Sequence, residues 1–167
     1  RNICDGTESI SKFTDEEVDT TGLDPAILKE RAYVKARGVV DGIEMFEPSF
    51  FGLSAREALV LHPQQRVFMK CCWEAHEQAG YDPRAFRGPI GLYGGATLSS
   101  YQNHLYAHVD LLPNPDTLSI AIGNELTYLT TRVSYRLDLK GPSFPITSPC
   151  SASLVAVHLA CQGLLSG

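Results

Sequence analysis

One short stretch of the sequence could do chemistry. In "ITSPCSASLVAVHLACQGLLSG", Cys150 lies between Pro149 and a run of small residues, and an apolar helix pattern begins at once. The pattern puts a cysteine where a strand ends and a helix starts. That corner has a use, because the thiolate is the nucleophile and a helix N-terminus favours negative charge. The N–H groups of a first helical turn have no intrahelical acceptor and can hold an oxyanion. Ser151, Ala152 and Ser153 are small enough for an acyl group to approach. Pro149 fixes the backbone on the upstream side and leaves the Cys150 N–H available. The same residues also suit a small buried thiol in a tight turn, since free cysteine is among the most buried residue types. Spacing alone leaves both readings open.

Other residues with chemical potential have plainer explanations. His158 lies two helical turns past Cys150, roughly 12 Å by helical rise, too far for a direct pair. It reads as a core or interface histidine. His104 and His108 in "YQNHLYAH" share one helical face, but no third ligand is spaced to join them, so they read as surface residues. Cys72 and His76 share that spacing among apolar neighbours and read as core packing, and Cys161 reads as packing within the terminal helix. "GPIGLYGGAT" lacks the Lys-Ser/Thr of a phosphate loop and the glycine spacing of a dinucleotide fold. It reads as a strand closing onto the core. Trp73, Tyr101 and Tyr106 are single aromatics rather than a stacking platform. The acidic run "TDEEVD" reads as a solvated face.

The elements that must position Cys150 follow from patterning. The polar first thirty residues predict a short helix and loops, and "YVKARGVVDGIEMF" predicts a strand with a turn around Gly38 and Gly42. "EPSFFGLSAREALVL" predicts a loop and a helix N-capped by Ser54, with Glu57 completing a capping box. Pro63 interrupts that helix and suits the first turn of the next. The next runs from Gln64 to Ala79, with Val67, Phe68, Cys71, Cys72 and Ala75 as its apolar stripe and Gly80 as its stop. "LSSYQNHLYAHVDLLPNPDT" reads as loop, with a turn at 113–115. Helices are predicted around 118–122 and 125–137, with Asn124 as a cap for the second. A strand at 143–147 leads into a helix over 151–165 that is apolar on most sides, and such a helix is expected to be buried. Alternating strands and helices predict an α/β fold with a mostly parallel sheet.

The bulk properties narrow the class. A chain of 167 residues suits one domain or part of a larger one. Its 44% hydrophobic content supports a packed core. A net charge of -5 without any Lys/Arg run argues against a nucleic-acid partner. No apolar run reaches the length of a membrane span, so no membrane partner is expected. Five cysteines, an odd number in no regular framework, suggest reduced thiols and a cytoplasmic protein. The chain begins with Arg1 and stops just after an apolar helix pattern, as expected of a piece of a longer polypeptide.

Three segments carry a resemblance: "FEPSFFGLSAREALVLHPQQRVFMKCCWEAHEQAGYDP", "GNELTYLTTRVSYRLDLKGPSF" and "SPCSASLVAVHLACQGLLSG". In this order they resemble the N-terminal half of a β-ketoacyl synthase, most of all the ketosynthase domain of a modular type I polyketide synthase. The resemblance spans essentially the whole chain, so residues 1–167 are expected to be the N-terminal part of that domain. It implies a thiolase-like fold of stacked α-β-α-β-α layers, of which this chain holds the first half. The family's nucleophilic cysteine lies in a Thr-Ala-Cys-Ser-Ser-Ser segment, and the matching stretch here puts that role on Cys150. Cys150 would accept an acyl chain from an acyl carrier protein, with its N–H in the oxyanion hole. A decarboxylating malonyl-type extender would then lengthen that chain by two carbons. No cofactor is implied, since substrates arrive on phosphopantetheine arms. The implied partners are the carrier protein, neighbouring synthase domains such as an acyltransferase, and a second copy in a homodimer.

The departures from the pattern matter too. Thr-Ala before the cysteine is Ser148-Pro149 here, and a proline restricts Ser148 to extended conformations. "LHPQQR" has His62 where the family has Asp, expected to be a packing change. The family's two catalytic histidines and its lysine come from the C-terminal half, and neither histidine motif occurs in this chain. The chain alone is therefore expected to accept an acyl group at most, without condensation. A fatty-acid ketosynthase, a non-elongating ketosynthase that only holds acyl chains, and an unrelated cysteine hydrolase are the competing readings.

Overall fold

The computed structural model describes residues 2–18, 24–30, 32–98, 100–112 and 116–167. The expected turn at 113–115 lies outside the described residues. The chain divides into two units, Arg1–Ile43 and Glu44–Gly167. The first is polar and, among its described residues, buries none. It holds two one-turn helices, α1 (Asn2–Asp5) and α2 (Pro25–Leu28). Between and after them run two short strands, β1 (Ile10–Lys12) and β2 (Ala36–Gly38). These pair antiparallel with Ser11 opposite Arg37. The longer strand expected across 33–46 shrinks to these three residues of β2, and its β1 partner carries no alternating pattern. Lys35 pairs with Asp15, so part of the acidic run is held by an ion pair.

The second unit matches the local signals closely. A short 3-10 turn (Ser49–Phe51) precedes α3 (Ala55–Val60). The Ser54–Glu57 capping box is complete: the Glu57 N–H donates to Ser54 Oγ at 3.1 Å and the Ser54 N–H to Glu57 Oε2 at 2.7 Å. Helix α4 (Pro63–Ala79) starts at its proline and ends at Gly80, whose φ of 73° a side chain would resist. Its cap is His62, where Nδ1 accepts the Gln64 N–H at 3.0 Å. Asp is a preferred cap, so a histidine in its place keeps the bond with a ring nitrogen. The nitrogen that accepts cannot also carry a proton, which leaves Nε2 protonated, buried and without a partner among the described residues.

Strand β3 (Leu92–Gly95) comes next, then α5 (Tyr101–Ala107), α6 (Thr117–Asn124) and α7 (Leu129–Arg136). Strand β4 (Ser143–Ile146) and α8 (Ala152–Ser166) close the order. The two strands run parallel in register, Leu92 opposite Ser143 through Gly95 opposite Ile146. The core gathers Phe51, Leu53 and Leu61 with Met69 and Cys72 of α4, Val133 of α7, and Leu137 and Leu139 just after it. Each fully buried aliphatic side chain there contributes about 1.5–3 kcal/mol by transfer from water.

The structure corrects four expectations. The segment expected as loop at 98–117 contains α5, anchored by Leu105, which is 5% exposed. Asn124 ends α6 rather than capping the next turn, because its Nδ2 donates back to the carbonyls of Val60 and Ile120. The cap of that turn is Glu125, whose carboxylate accepts the Thr127 N–H. The buried stripe of α4 is Gln65, Met69 and Cys72, while Cys71 and Ala75 are exposed. Gln65 is tolerated inside because its amide donates to the carbonyls of Gly123 and Glu125 and accepts Arg132 Nε at 2.8 Å. The largest difference is α8. Only Ala156 is buried; Leu154, Val157, Leu164 and Leu165 are bare, and so are His158 and Cys161. An all-round apolar helix needs cover on every side, and this chain supplies it on one.

Candidate functional site

Cys150 stands at the corner between β4 and α8, and it is exposed. Its φ is 60°, a left-handed value that a side chain resists. The Ser151 N–H bonds back to the Pro149 carbonyl at 2.7 Å. A three-residue turn closed by that bond around a positive-φ centre is the strained form of the γ-turn. Backbone strain of this kind persists only where the surroundings enforce it, and it concentrates at functional sites.

The surroundings are specific. The Ser148 and Ser151 hydroxyls meet at 2.6 Å across the turn and clasp it. Gly95 brings the end of β3 against the start of α8: a Cβ there would lie 2.7 Å from Ala152 Cβ and 2.8 Å from the Ile146 carbonyl oxygen. The first bond of α8 runs from the Val155 N–H to the Ser151 carbonyl at 3.0 Å. The N–H groups of Cys150, Ala152, Ser153 and Leu154 therefore have no acceptor among the described residues. A thiol and unspent donors share one corner, an arrangement suited to attack on a carbonyl.

A cleft of ≈ 530 Å³ opens beside the thiol. One wall is the turn itself, from Thr147 to Cys150, with Ala152 and Ser153. The rest of the lining is the end of β3 and the loop after it, Gly95 to Leu98, with Gln64 and Leu126. Gln64 Nε2 donates to the Thr97 carbonyl at 3.0 Å, and its Oε1 accepts the Thr97 N–H at 3.1 Å. Among the described residues, no histidine lines this cleft. A thiol–imidazole pair of the hydrolase kind is therefore not formed by these residues.

The weaker candidates resolve into structural roles. The His104 ring on α5 and the His108 ring at its C-terminal cap lie 4.4 Å apart, both residues exposed, and the described residues contain no group of three metal-ligating side chains. Cys72 is buried, and burial first, then the neighbouring Cys71, push its thiol up to about 12. Trp73 packs edge-on against Phe50 beneath Arg84, and the Tyr101 hydroxyl donates to the Leu59 carbonyl. "GPIGLYGGAT" supplies β3, the strand expected of it, and with it a wall of the cleft. Patterning missed Gln64, Thr97, Leu98, Leu126 and the Ser148–Ser151 clasp. The serine pair had a signal in its spacing of three across a turn, whereas Gln64 and Thr97 meet only through folding.

Comparison with known proteins extends the picture. Residues 1–167 match the sequence model of the beta-ketoacyl synthase N-terminal domain. The chain is 42% identical over 175 residues to a phenolphthiocerol/phthiocerol polyketide synthase of Mycobacterium tuberculosis, covering 99% of this chain and 12% of that protein. It is 38% identical to pikromycin polyketide synthase component PikAII of Streptomyces venezuelae, covering 100% of this chain and 4% of that one. The chain thus spans 12% or less of the length of these two relatives. Ketosynthase twelve of the bacillaene polyketide synthase in Bacillus amyloliquefaciens superposes with a TM-score of 0.80 at 31% identity, over 99% of this chain and 29% of that one. The module 1 ketosynthase of the bacillaene synthase from Bacillus amyloliquefaciens FZB42 gives 0.78 at 34%, over 99% and 28%. The fold is the α/β, thiolase-like fold of these domains, as expected.

Proposed function

The chain belongs to the β-ketoacyl synthase family, and from that premise we propose that it is the nucleophile-bearing part of a polyketide ketosynthase, with Cys150 as the acyl acceptor. The observation that carries this reading is the elbow: an exposed cysteine at a φ of 60°, closed by the 2.7 Å bond from Ser151 to Pro149. A buried structural thiol has no need of that strain.

In the proposed reaction the Cys150 thiolate attacks the carbonyl of an acyl thioester carried on the phosphopantetheine arm of an acyl carrier protein. The new bond is Sγ–C. The bond from that carbon to the pantetheine sulfur breaks, and the departing thiolate takes up the proton that Cys150 gave. The tetrahedral oxyanion is held by the Cys150 N–H, which has no acceptor of its own among the described residues. The apolar Leu98 and Leu126 flank the acyl chain. Condensation then needs a malonyl-type extender to lose carbon dioxide and attack the Cys150 thioester, which frees the thiolate and gives a β-ketoacyl product. Among the described residues the cleft lining holds no histidine or lysine to assist this second step, so in this reading these residues accept the acyl group without condensing it. Partners in this reading are the carrier protein, an acyltransferase domain and a second copy in a homodimer, in a cytoplasmic assembly. The bare apolar face of α8 supports further protein cover. Among the described residues no helix is long and apolar enough to cross a membrane.

The test is to treat the full-length polypeptide with an acyl thioester or with cerulenin and map the adduct by mass spectrometry. Modification at Cys150 is expected. Adducts confined to Cys71 or Cys161 would defeat the reading. Adding a malonyl carrier separates elongation from mere holding: a β-ketoacyl product marks the first, a persistent acyl-enzyme the second.

A further inference from the structure

Gln64 lines the same cleft as the Cys150 turn, and its own position is doubly fixed. Its N–H is held at 3.0 Å by His62 Nδ1 in the first turn of α4. The next residue, Gln65, is 1% exposed and seats that turn in the interior through Gly123, Glu125 and Arg132. From this rigid base the Gln64 amide pairs with both backbone groups of one residue, Thr97, at 3.0 and 3.1 Å. The pairing has one sense only, since the amide nitrogen must face the carbonyl and the amide oxygen must face the N–H.

Thr97 sits between Ala96 and Leu98, in a stretch that belongs to no helix or strand. Among the described residues no other hydrogen bond reaches the backbone of 96–98. Leu98 is 89% exposed, so packing does not fix it either. Among the described residues, the hydrogen bonds that hold 96–98 thus come from a side chain on a different element.

We propose that Gln64 is a positioning residue for acyl selection: through the Thr97 backbone it sets where Leu98 stands in the cleft, and so which acyl groups reach Cys150. The inference rests on the reading of Cys150 as the acyl acceptor. An apolar pocket distinguishes one methylene by about 10–200-fold in rate when its walls are held. A wall freed from its tether loses part of that discrimination.

The experiment measures saturation kinetics of Cys150 acylation in the full-length polypeptide. The probes are N-acetylcysteamine thioesters of butyric, 2-methylbutyric and octanoic acid. Gln64→Leu removes both bonds to Thr97, whereas Gln64→Glu keeps the acceptor for the Thr97 N–H and loses the donor. The expected result for Gln64→Leu is about a tenfold compression of the ratio between best and worst acyl group, carried by the half-saturating concentration. The rate of Cys150 alkylation by iodoacetamide stays within about twofold of wild type, because the thiol's own corner is untouched. Gln64→Glu falls between wild type and Gln64→Leu, and it carries the test if Gln64→Leu does not fold. An unchanged ratio in either folded variant overturns the inference while leaving Cys150 as acceptor. Slowed alkylation that parallels slowed acylation of every acyl group also overturns it, since that marks a general structural role. A wild-type Cys150 that takes no acyl group overturns the functional reading, and this inference with it.

Discussion

Replacing Cys150 by alanine and by glycine separates the strain of the elbow from the chemistry of the thiol. Both variants lack the thiol, and its exposure means that no buried hole is left behind. They differ in whether a Cβ must be carried at a φ of 60°. A left-handed backbone disfavours a side-chain-bearing residue by about 1–2 kcal/mol, and glycine relieves that. Glycine also gains freedom in the unfolded chain, which returns about 0.4–1 kcal/mol. The net expectation is that Cys150→Gly is more stable than Cys150→Ala by about 0.5–1 kcal/mol. For a domain of this size that is a difference of about 1–4 °C in Tm. The assay is calorimetry of both variants of the full-length polypeptide, on the transition to which these residues belong. An alanine variant as stable as the glycine variant, or more so, would refute the reasoning. The elbow would then carry no strain, and the case for a backbone shaped to present Cys150 would weaken with it.

Buried groups elsewhere lead to three more outcomes. Burial first, and then the Arg66 charge, hold His62 below its usual value, so the folded protein keeps the ring neutral. The unfolded chain takes up that proton below about pH 6.5, so the group's contribution is full above that pH. It is lost as the pH falls from there through the lowered native value. Wild type should lose more Tm between about pH 7.5 and about pH 5.5 than His62→Asn, whose side-chain oxygen still accepts the Gln64 N–H. Equal slopes would count against a neutral capping histidine. Thr130 is 0% exposed and its Oγ1 has no partner among the described residues. Thr130→Val should raise the denaturation free energy by about 1 kcal/mol, and a fall in the urea midpoint would show that the hydroxyl is paired after all. Cys72, with its thiol pushed up to about 12, should resist iodoacetamide at neutral pH while the exposed Cys71 and Cys150 react. Native-state labelling of Cys72 at the rate of Cys71 would contradict its burial.

The features legible in the sequence were local. The Ser54–Glu57 box, the break at Pro63, the stop at Gly80 and the strand-to-helix step at Cys150 each depend on residues within about one helical turn. Their partners are present wherever those residues occur, and the structure has them in place. The resemblance of three ordered segments likewise carried the family and its thiolase-like fold. The segment at 101–107 failed because its polar and aromatic side chains hide the single buried anchor, Leu105, that packing uses. The stripe of α4 failed for a related reason. A buried glutamine has no apolar signature, and its partners come from α6, the turn after it, and α7.

The sequence by itself determined the cysteine, the corner it occupies, and the family that uses such a corner. Tertiary structure decided that the thiol at that corner is not a buried one. It left Cys150 exposed, fixed its left-handed backbone between β4 and α8, and opened a cleft beside it. Tertiary structure also decided that α8, apolar on most sides, buries only Ala156 among its residues. The division comes from range: hydrogen bonds within a turn are written in neighbouring letters. The Gln64–Thr97 pairing and the closing of β3 onto α8 exist only when distant segments meet.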